Sequence, residues 1–365
     1  MPGKSEIQWC TDVWNPTTGC TRVSAGCDHC YAFTLHDRRH AAYVAGAKLP
    51  PQYARPFSEV QLMPERLAVP LRWREPRRIF VDSMADLFHA DVPDAFIAQV
   101  FTTMALVPRH TFMILTKRPQ RMQRLLRDER FQEEIGALGW PNPLTGAQRA
   151  GPTPWPLPNV WLGVSVENQE AAYRVDWLVR TPAAVRFLSC EPLIGPLDLA
   201  HWLPVPTDDS TPYWGADCDE TGCQAPATFT RPGRQFPTMI RECRAHVERV
   251  DWVIVGGESG RDARPMHPDW ARDLRDQCVE AGVPFFFKQW GEWTEVDGPR
   301  CQRLNQAAAR TGTWMRRDGT LVPRRFDGPD RHSPYGTSIM ARLGKHKTGR
   351  ELDRQTWDQL PGEGS

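Results

Sequence analysis

Six short apolar runs, each closed by turn-forming residues and separated from the next by helical or mixed sequence, constrain this chain most. They are RIFVDSMADLF from Arg78, HTFMILTKRP from His110, NVWLGVSVEN from Asn159, VRFLSCEPL from Val185, DWVIVGGESG from Asp251 and VPFFFKQWG from Val283. Short apolar runs bounded by turn residues fit strands of a parallel sheet wrapped by helices. Between the first two runs, Phe96, Val100, Phe101 and Met104 recur at helical spacing. PQRMQRLLRDERFQEEIGAL reads as one amphipathic helix, and HPDWARDLRDQCVEAG as another just before the sixth run.

The residues past each run matter most, because parallel α/β folds place ligands at the carboxyl ends of their strands. Those ends carry Ser83 and Asp86; Thr116, Lys117 and Arg118; Ser165, Glu167 and Asn168; Cys190 and Glu191; Glu258 and Ser259; Lys288 and Gln289. Any one of them alone is a helix cap or turn residue, but together they predict an active site at one mouth of a barrel-like sheet. The expected fold class is therefore α/β, a partial or full TIM-type (β/α) barrel of parallel strands spanning residues 1–300. Two inserts break the rhythm: a Pro/Gly-rich lid loop at 136–158, and residues 202–250 with Cys218, Cys223 and Cys243. The spacing of those three cysteines matches no strong zinc pattern. Residues 301–365 form a polar C-terminal extension expected to pack on the barrel, with TWMRRDGTLV as a hairpin closed by Asp318-Gly319.

With Lys+Arg 45 against Asp+Glu 44, no global field steers the chain to nucleic acid, so such binding would need a local patch. Candidates are the basic stretches at 74–78 and 121–130, with 15 Trp available to stack bases; solvated helix faces and core tryptophans explain the same residues. No stretch reaches transmembrane length and MPGKSEIQWC has no leader pattern, so a cytoplasmic protein with no membrane partner is expected. Its ten cysteines then read as reduced thiols or metal ligands. Cys20, Cys27 and Cys30 in GCTRVSAGCDHCYA could hold an iron–sulfur cluster with one iron lacking a protein ligand, or a zinc completed by His29, His36 or His40. A helix is expected to start at Cys30. His36 and His40, in HDRRH, lack the glutamate of a metalloprotease and read as two exposed helix histidines.

A three-cysteine segment ending CxxCY and followed by successive βα units resembles the radical S-adenosylmethionine (SAM) superfamily, whose usual spacing is CxxxCxxC. The chain is more closely similar to the phage-associated three-cysteine-motif proteins, through TDVWNPTTGCTRVSAGCDHCYA, VDSMADLFH, LTKRP, WLGVSVEN, CEPLIGPL, VIVGGESG and FFFKQWGEW. Among radical enzymes of known chemistry, the spore photoproduct lyase branch looks most similar, through the Thr-Lys after one strand and the polar residue ending the next. Six residues separate Cys20 from Cys27 where the superfamily usually has three, which implies a longer cluster loop.

The resemblance implies a [4Fe-4S] cluster on Cys20, Cys27 and Cys30 that chelates SAM and, once reduced, yields a 5′-deoxyadenosyl radical. It implies Lys117 for the cofactor carboxylate, and Ser165 and Asp86 for its amino group or ribose. Glu191, Glu258 and Lys288 would face the substrate as catalytic candidates, with Arg261 and Arg264 available to phosphate. The implied substrate is a nucleotide or nucleic-acid base undergoing modification or repair in the host cytoplasm. The electron donor would be of flavodoxin or ferredoxin type. The alternatives are a non-catalytic, zinc-stabilised nucleic-acid-binding or adaptor protein, and a degenerate barrel that keeps its cluster for structure or sensing.

Overall fold

The computed structural model describes residues 7–137, 153–204, 249–296, 312–322 and 337–362. The elements run β1 (Asp12–Trp14), β2 (Thr17–Thr18), α1 (Tyr31–Val44), β3 (Gln61–Leu62), β4 (Arg78–Val81), α2 (Asp94–Leu106), β5 (Thr111–Thr116), α3 (Pro119–Arg127) and α4 (Glu129–Ala137). They continue as β6 (Val160–Ser165), α5 (Tyr173–Val179), β7 (Val185–Cys190), β8 (Trp252–Gly256), α6 (Pro268–Glu280) and β9 (Phe285–Gln289). A seven-stranded sheet of order β1-β4-β5-β6-β7-β8-β9 curls into a half-barrel, a partial (β/α) barrel. Its pairings are all parallel, so every crossover returns beside the strand it left.

All six apolar runs are strands of this sheet. Sequence reasoning missed β1, an edge strand with Val13 and Trp14 as its apolar residues, and the short α5. The single helix expected over 119–138 is two, because Asp128 leaves the helical region at ψ 117. Its Oδ1 then accepts the Arg130 N–H at 2.9 Å, which caps α4.

The outer face of the sheet buries Ile79, Phe112, Ile114, Leu162, Leu188, Val253 and Phe285 against the helices in the main core. The inner face buries Phe80, Met113, Phe187, Trp252 and Phe286 in a second cluster with Trp9 and Leu360. This aromatic floor closes the half-barrel beneath the strand ends. After β9 comes an antiparallel sheet of β10 (Trp293–Glu295), β11 (Thr313–Arg316), β12 (Leu321–Val322) and β13 (Thr337–Arg342), with the expected hairpin between β11 and β12. The chain then passes along β9, where Phe287 N donates to the Trp357 carbonyl at 2.8 Å. Trp252 Nε1 donates to the Gln359 carbonyl at 2.9 Å. Most of the lid loop and of the 202–250 insert, with Cys218, Cys223 and Cys243, lies outside the described residues. Among the described residues, no helix is long and apolar enough to cross a membrane.

Candidate functional site

Side chains alternate across a strand, so each inner-face residue of the floor has a successor two positions nearer the strand end. On β6 the inner series is Trp161, Gly163, Ser165 and then Glu167; on β5 it is Met113, Leu115 and then Lys117. Register aligns Gly163 with Phe187 and Trp252, and the next row up aligns Ser165, Ser189, Ile254 and Phe286. Above that row the inner face turns polar, with Glu191 following Ser189 and Lys288 following Phe286.

The cysteine loop joins β2 to α1 at this same end. It begins at Gly19, whose φ of +97 and a would-be Cβ only 2.3 Å from the Glu59 carbonyl admit glycine alone. Gly19 N donates to the Met84 carbonyl at 3.2 Å and Cys20 N to the Phe57 carbonyl at 2.8 Å. Further along, the Gly26 backbone presses on Glu167 so closely that a Cβ would fall 2.3 Å from Oε1. Cys20 and Cys30 are half-buried against Ala32, Phe33 and Phe57, while Cys27 is buried. As expected, α1 begins directly after Cys30. The Tyr31 hydroxyl donates to the Ser83 carbonyl at 2.5 Å.

Cation–carboxylate contacts line the mouth. Lys117 Nζ lies 3.0 Å from Glu167 Oε1, and Arg174 Nη1 lies 2.8 Å from Glu167 Oε2. The Ser24 hydroxyl of the cysteine loop donates to Glu167 at 3.0 Å. Burial alone would raise the Glu167 carboxyl, but Lys117 and Arg174 hold it below its ordinary range. Arg264 grips Glu258 through Nη2 at 2.7 Å and Nε at 2.9 Å, and reaches the Ala25 carbonyl of the loop at 2.8 Å. Lys288 Nζ lies 2.7 Å from Glu191 Oε1.

Arg118 and Asp86 form a further contact, at 2.8 Å. Arg118 Nη1 also donates to Cys20 Sγ at 3.6 Å, and Nη2 to the Thr21 carbonyl at 3.0 Å. Burial and then the Asp86 charge push the Cys20 thiol up to about 11, with Arg118 pulling the other way. One residue before Ser83, Asp82 adopts the left-handed φ of +58 and accepts Thr17 N at 3.0 Å and Thr17 Oγ1 at 2.9 Å. Burial pushes its carboxyl up to about 7.

The fold thus brings Cys20, Cys27, Cys30, Lys117, Ser165, Asp86, Glu191, Glu258 and Lys288 to one end of the sheet. Asp86 also accepts Thr116 Oγ1 at 2.7 Å and Lys117 N at 3.1 Å, so its oxygens are spent within the protein. Arg264 is likewise committed, to Glu258 and Ala25, whereas Arg261 is exposed. Glu167, which touches Lys117, Arg174 and the cysteine loop, stood among the strand-end polar residues in the sequence but was given no role of its own. Period-two counting from Ser165 would have placed it on the inner face; nothing local signals Arg174.

The expectation of two exposed helix histidines needs correction. His36 is fully buried between Tyr53 and Phe57, with Nε2 2.9 Å from the Arg55 carbonyl. His40 Nδ1 lies 2.8 Å from the Tyr53 carbonyl. Cys10 is a core thiol in the floor cluster. In the basic stretches, Arg77 pairs with Asp12 and Arg121 with Asp94, while Arg124 and Arg127 form an exposed face. Trp14, Trp252 and Trp270 are fully buried core residues.

Among the described residues, no three His, Cys, Asp or Glu side chains are drawn together as a ready-made metal cage. The donor set still suits a thiolate-bound metal: three thiols from one loop, two of them packed on the same apolar shelf. The chain belongs to the family described as "Protein of unknown function (DUF5131)", which matches residues 4–361. No curated protein and no solved structure matches it at a significant level.

Proposed function

We propose that this member of the DUF5131 family is a radical SAM enzyme whose [4Fe-4S] cluster is held by Cys20, Cys27 and Cys30. The observation that carries the proposal is the seating of the cysteine loop across the strand-end mouth, with Arg118 on Cys20 and Ser24 on Glu167. When bound, the cluster supplies one-electron cleavage of the SAM sulfonium, which gives the radical that takes hydrogen from a substrate.

The chain's own residues would bind, orient and shield. Lys117 offers an ammonium to the methionyl carboxylate, and Glu167, kept ionised by its cations, orients that ammonium from 3.0 Å. Ser165, one row below on the inner face, suits a ribose hydroxyl. Asp86 acts indirectly, by fixing Arg118 and the Lys117 backbone. Lys288 and Glu191 present a charge pair to the substrate, and the aromatic floor keeps water out from below.

That pair supports a polar or charged substrate; a nucleotide or nucleic-acid base follows from the family resemblance. An electron donor of flavodoxin or ferredoxin type completes the scheme. The zinc-clip alternative draws no support from the contacts of His36 or His40, each of which has one ring nitrogen on a backbone carbonyl.

The test is anaerobic reconstitution with iron and sulfide, followed by dithionite and SAM. Brown protein that releases 5′-deoxyadenosine is the expected outcome. Colourless protein that retains zinc and leaves SAM intact would overturn the proposal.

A further inference from the structure

We infer that Arg118 and Asp86 form a charge dyad that sets the reduction potential of the cluster bound by the cysteine loop. The inference rests on the radical-enzyme reading above and adds a function for two residues outside the thiolate set.

Arg118 divides its guanidinium among three tasks. Nη1 donates to Cys20 Sγ at 3.6 Å and to Asp86 Oδ2 at 2.8 Å, while Nη2 donates to the Thr21 carbonyl at 3.0 Å and hydroxyl at 2.9 Å. The cation is therefore fixed against a ligand sulfur. The Arg118 side chain is 14% exposed and that of Asp86 7%, so water and salt screen neither charge well. Asp86 is fixed in turn by Thr116 Oγ1 and by the backbone N–H groups of Lys117 and Phe88.

One-electron reduction adds a negative charge to a cluster without making or breaking a bond, the electron coming from a low-potential one-electron donor. A nearby cation stabilises the added charge and raises the potential; a nearby anion lowers it. A hydrogen bond to a ligand sulfur also raises it, by drawing electron density from the thiolate. Arg118 acts upward through both routes, and Asp86 offsets it through its charge. The dyad thereby holds the potential at an intermediate value.

A purely mechanical role for Arg118, latching the loop through Thr21, makes a different forecast. It predicts lost iron or heterogeneous spectra on mutation, with no ordered shift in potential. The sign of the shift separates the two roles.

The experiment is a mediated potentiometric titration, followed by electron paramagnetic resonance, of the full chain reconstituted with iron and sulfide in the absence of SAM. Arg118→Gln should move the midpoint to more negative values than the parent, and Asp86→Asn to more positive values, at parental iron content. Unshifted midpoints, or shifts of the same sign, would overturn the inference while leaving the radical-enzyme reading intact. If Arg118→Gln takes up no iron, Asp86→Asn decides alone: a positive shift supports the dyad, and any other result removes it. A parent that takes up no iron fails the underlying reading and the inference with it.

Discussion

The floor and the rim of the half-barrel are built on the same strands only two to six residues apart, yet they follow opposite physics. At the floor Trp161, Phe187, Trp252 and Phe286 pack ring against ring, with Phe187 5.8 Å from Trp252 and Trp252 6.0 Å from Phe286. At the rim Lys117, Glu167, Glu191 and Lys288 meet as opposite charges. Apolar burial stabilises the floor without needing a ligand. Removing charges from water costs about as much as their attraction returns, so the rim pairs fix geometry more than they add stability. The difference teaches that the floor can carry the fold while the rim is free to hold chemistry.

The sharpest way to break that comparison is at the cysteine loop. Cys27→Ala should abolish bound iron, because three thiolates act as one chelate, whereas Cys278→Ala, on the core face of α6, should leave iron content at the parental level. Iron analysis after reconstitution decides it, and full iron in Cys27→Ala would end the cluster assignment.

Next in size is the floor itself. Trp252→Ala should lower unfolding free energy by about 3–5 kcal/mol, the range for emptying a buried tryptophan site, with iron per folded chain unchanged. Denaturant titration measures the first quantity. Loss of iron in a stably folded variant would show that floor and rim are not separable.

A smaller effect is expected at the rim. Lys117→Ala should weaken SAM binding by ~1.5–3 kcal/mol, the worth of a charge-assisted hydrogen bond, and leave the cluster spectrum unaltered. Equal affinities by calorimetry would move Lys117 away from the cofactor.

A further effect concerns pH. Asp82, raised by burial from an ordinary 3.8 to about 7, keeps its proton in the folded chain where the unfolded chain has released it. Its contribution to stability is complete below about pH 4 and is lost as pH rises towards 7. Asp82→Asn should remove this slope, so the stability gap between variant and parent should change across that window. A gap constant from pH 4 to 7 in parallel denaturant titrations would place the titration elsewhere.

Local sequence carried much of the frame. Runs such as FMIL and VIVG are apolar on both faces, which only a covered sheet satisfies, and the helix after Cys30 and the Asp318-Gly319 hairpin follow from neighbouring residues alone. Strand β1 escaped because three residues are too few for a pattern, and the break at Asp128 because a capping carboxylate looks like any polar position on a helix face. His36 read as exposed because its burial comes from Tyr53 and Phe57, which lie outside its helix.

The sequence by itself determined that polar residues would stand past each strand and that three cysteines would share one loop, since both are properties of neighbours along the chain. Only the tertiary structure decided which charges would pair. Glu167 meets Lys117 and Ser24 from distant segments, and Arg118 reaches Cys20 across 98 positions. A charge finds its partner through space as it leaves water, and no local pattern encodes that choice.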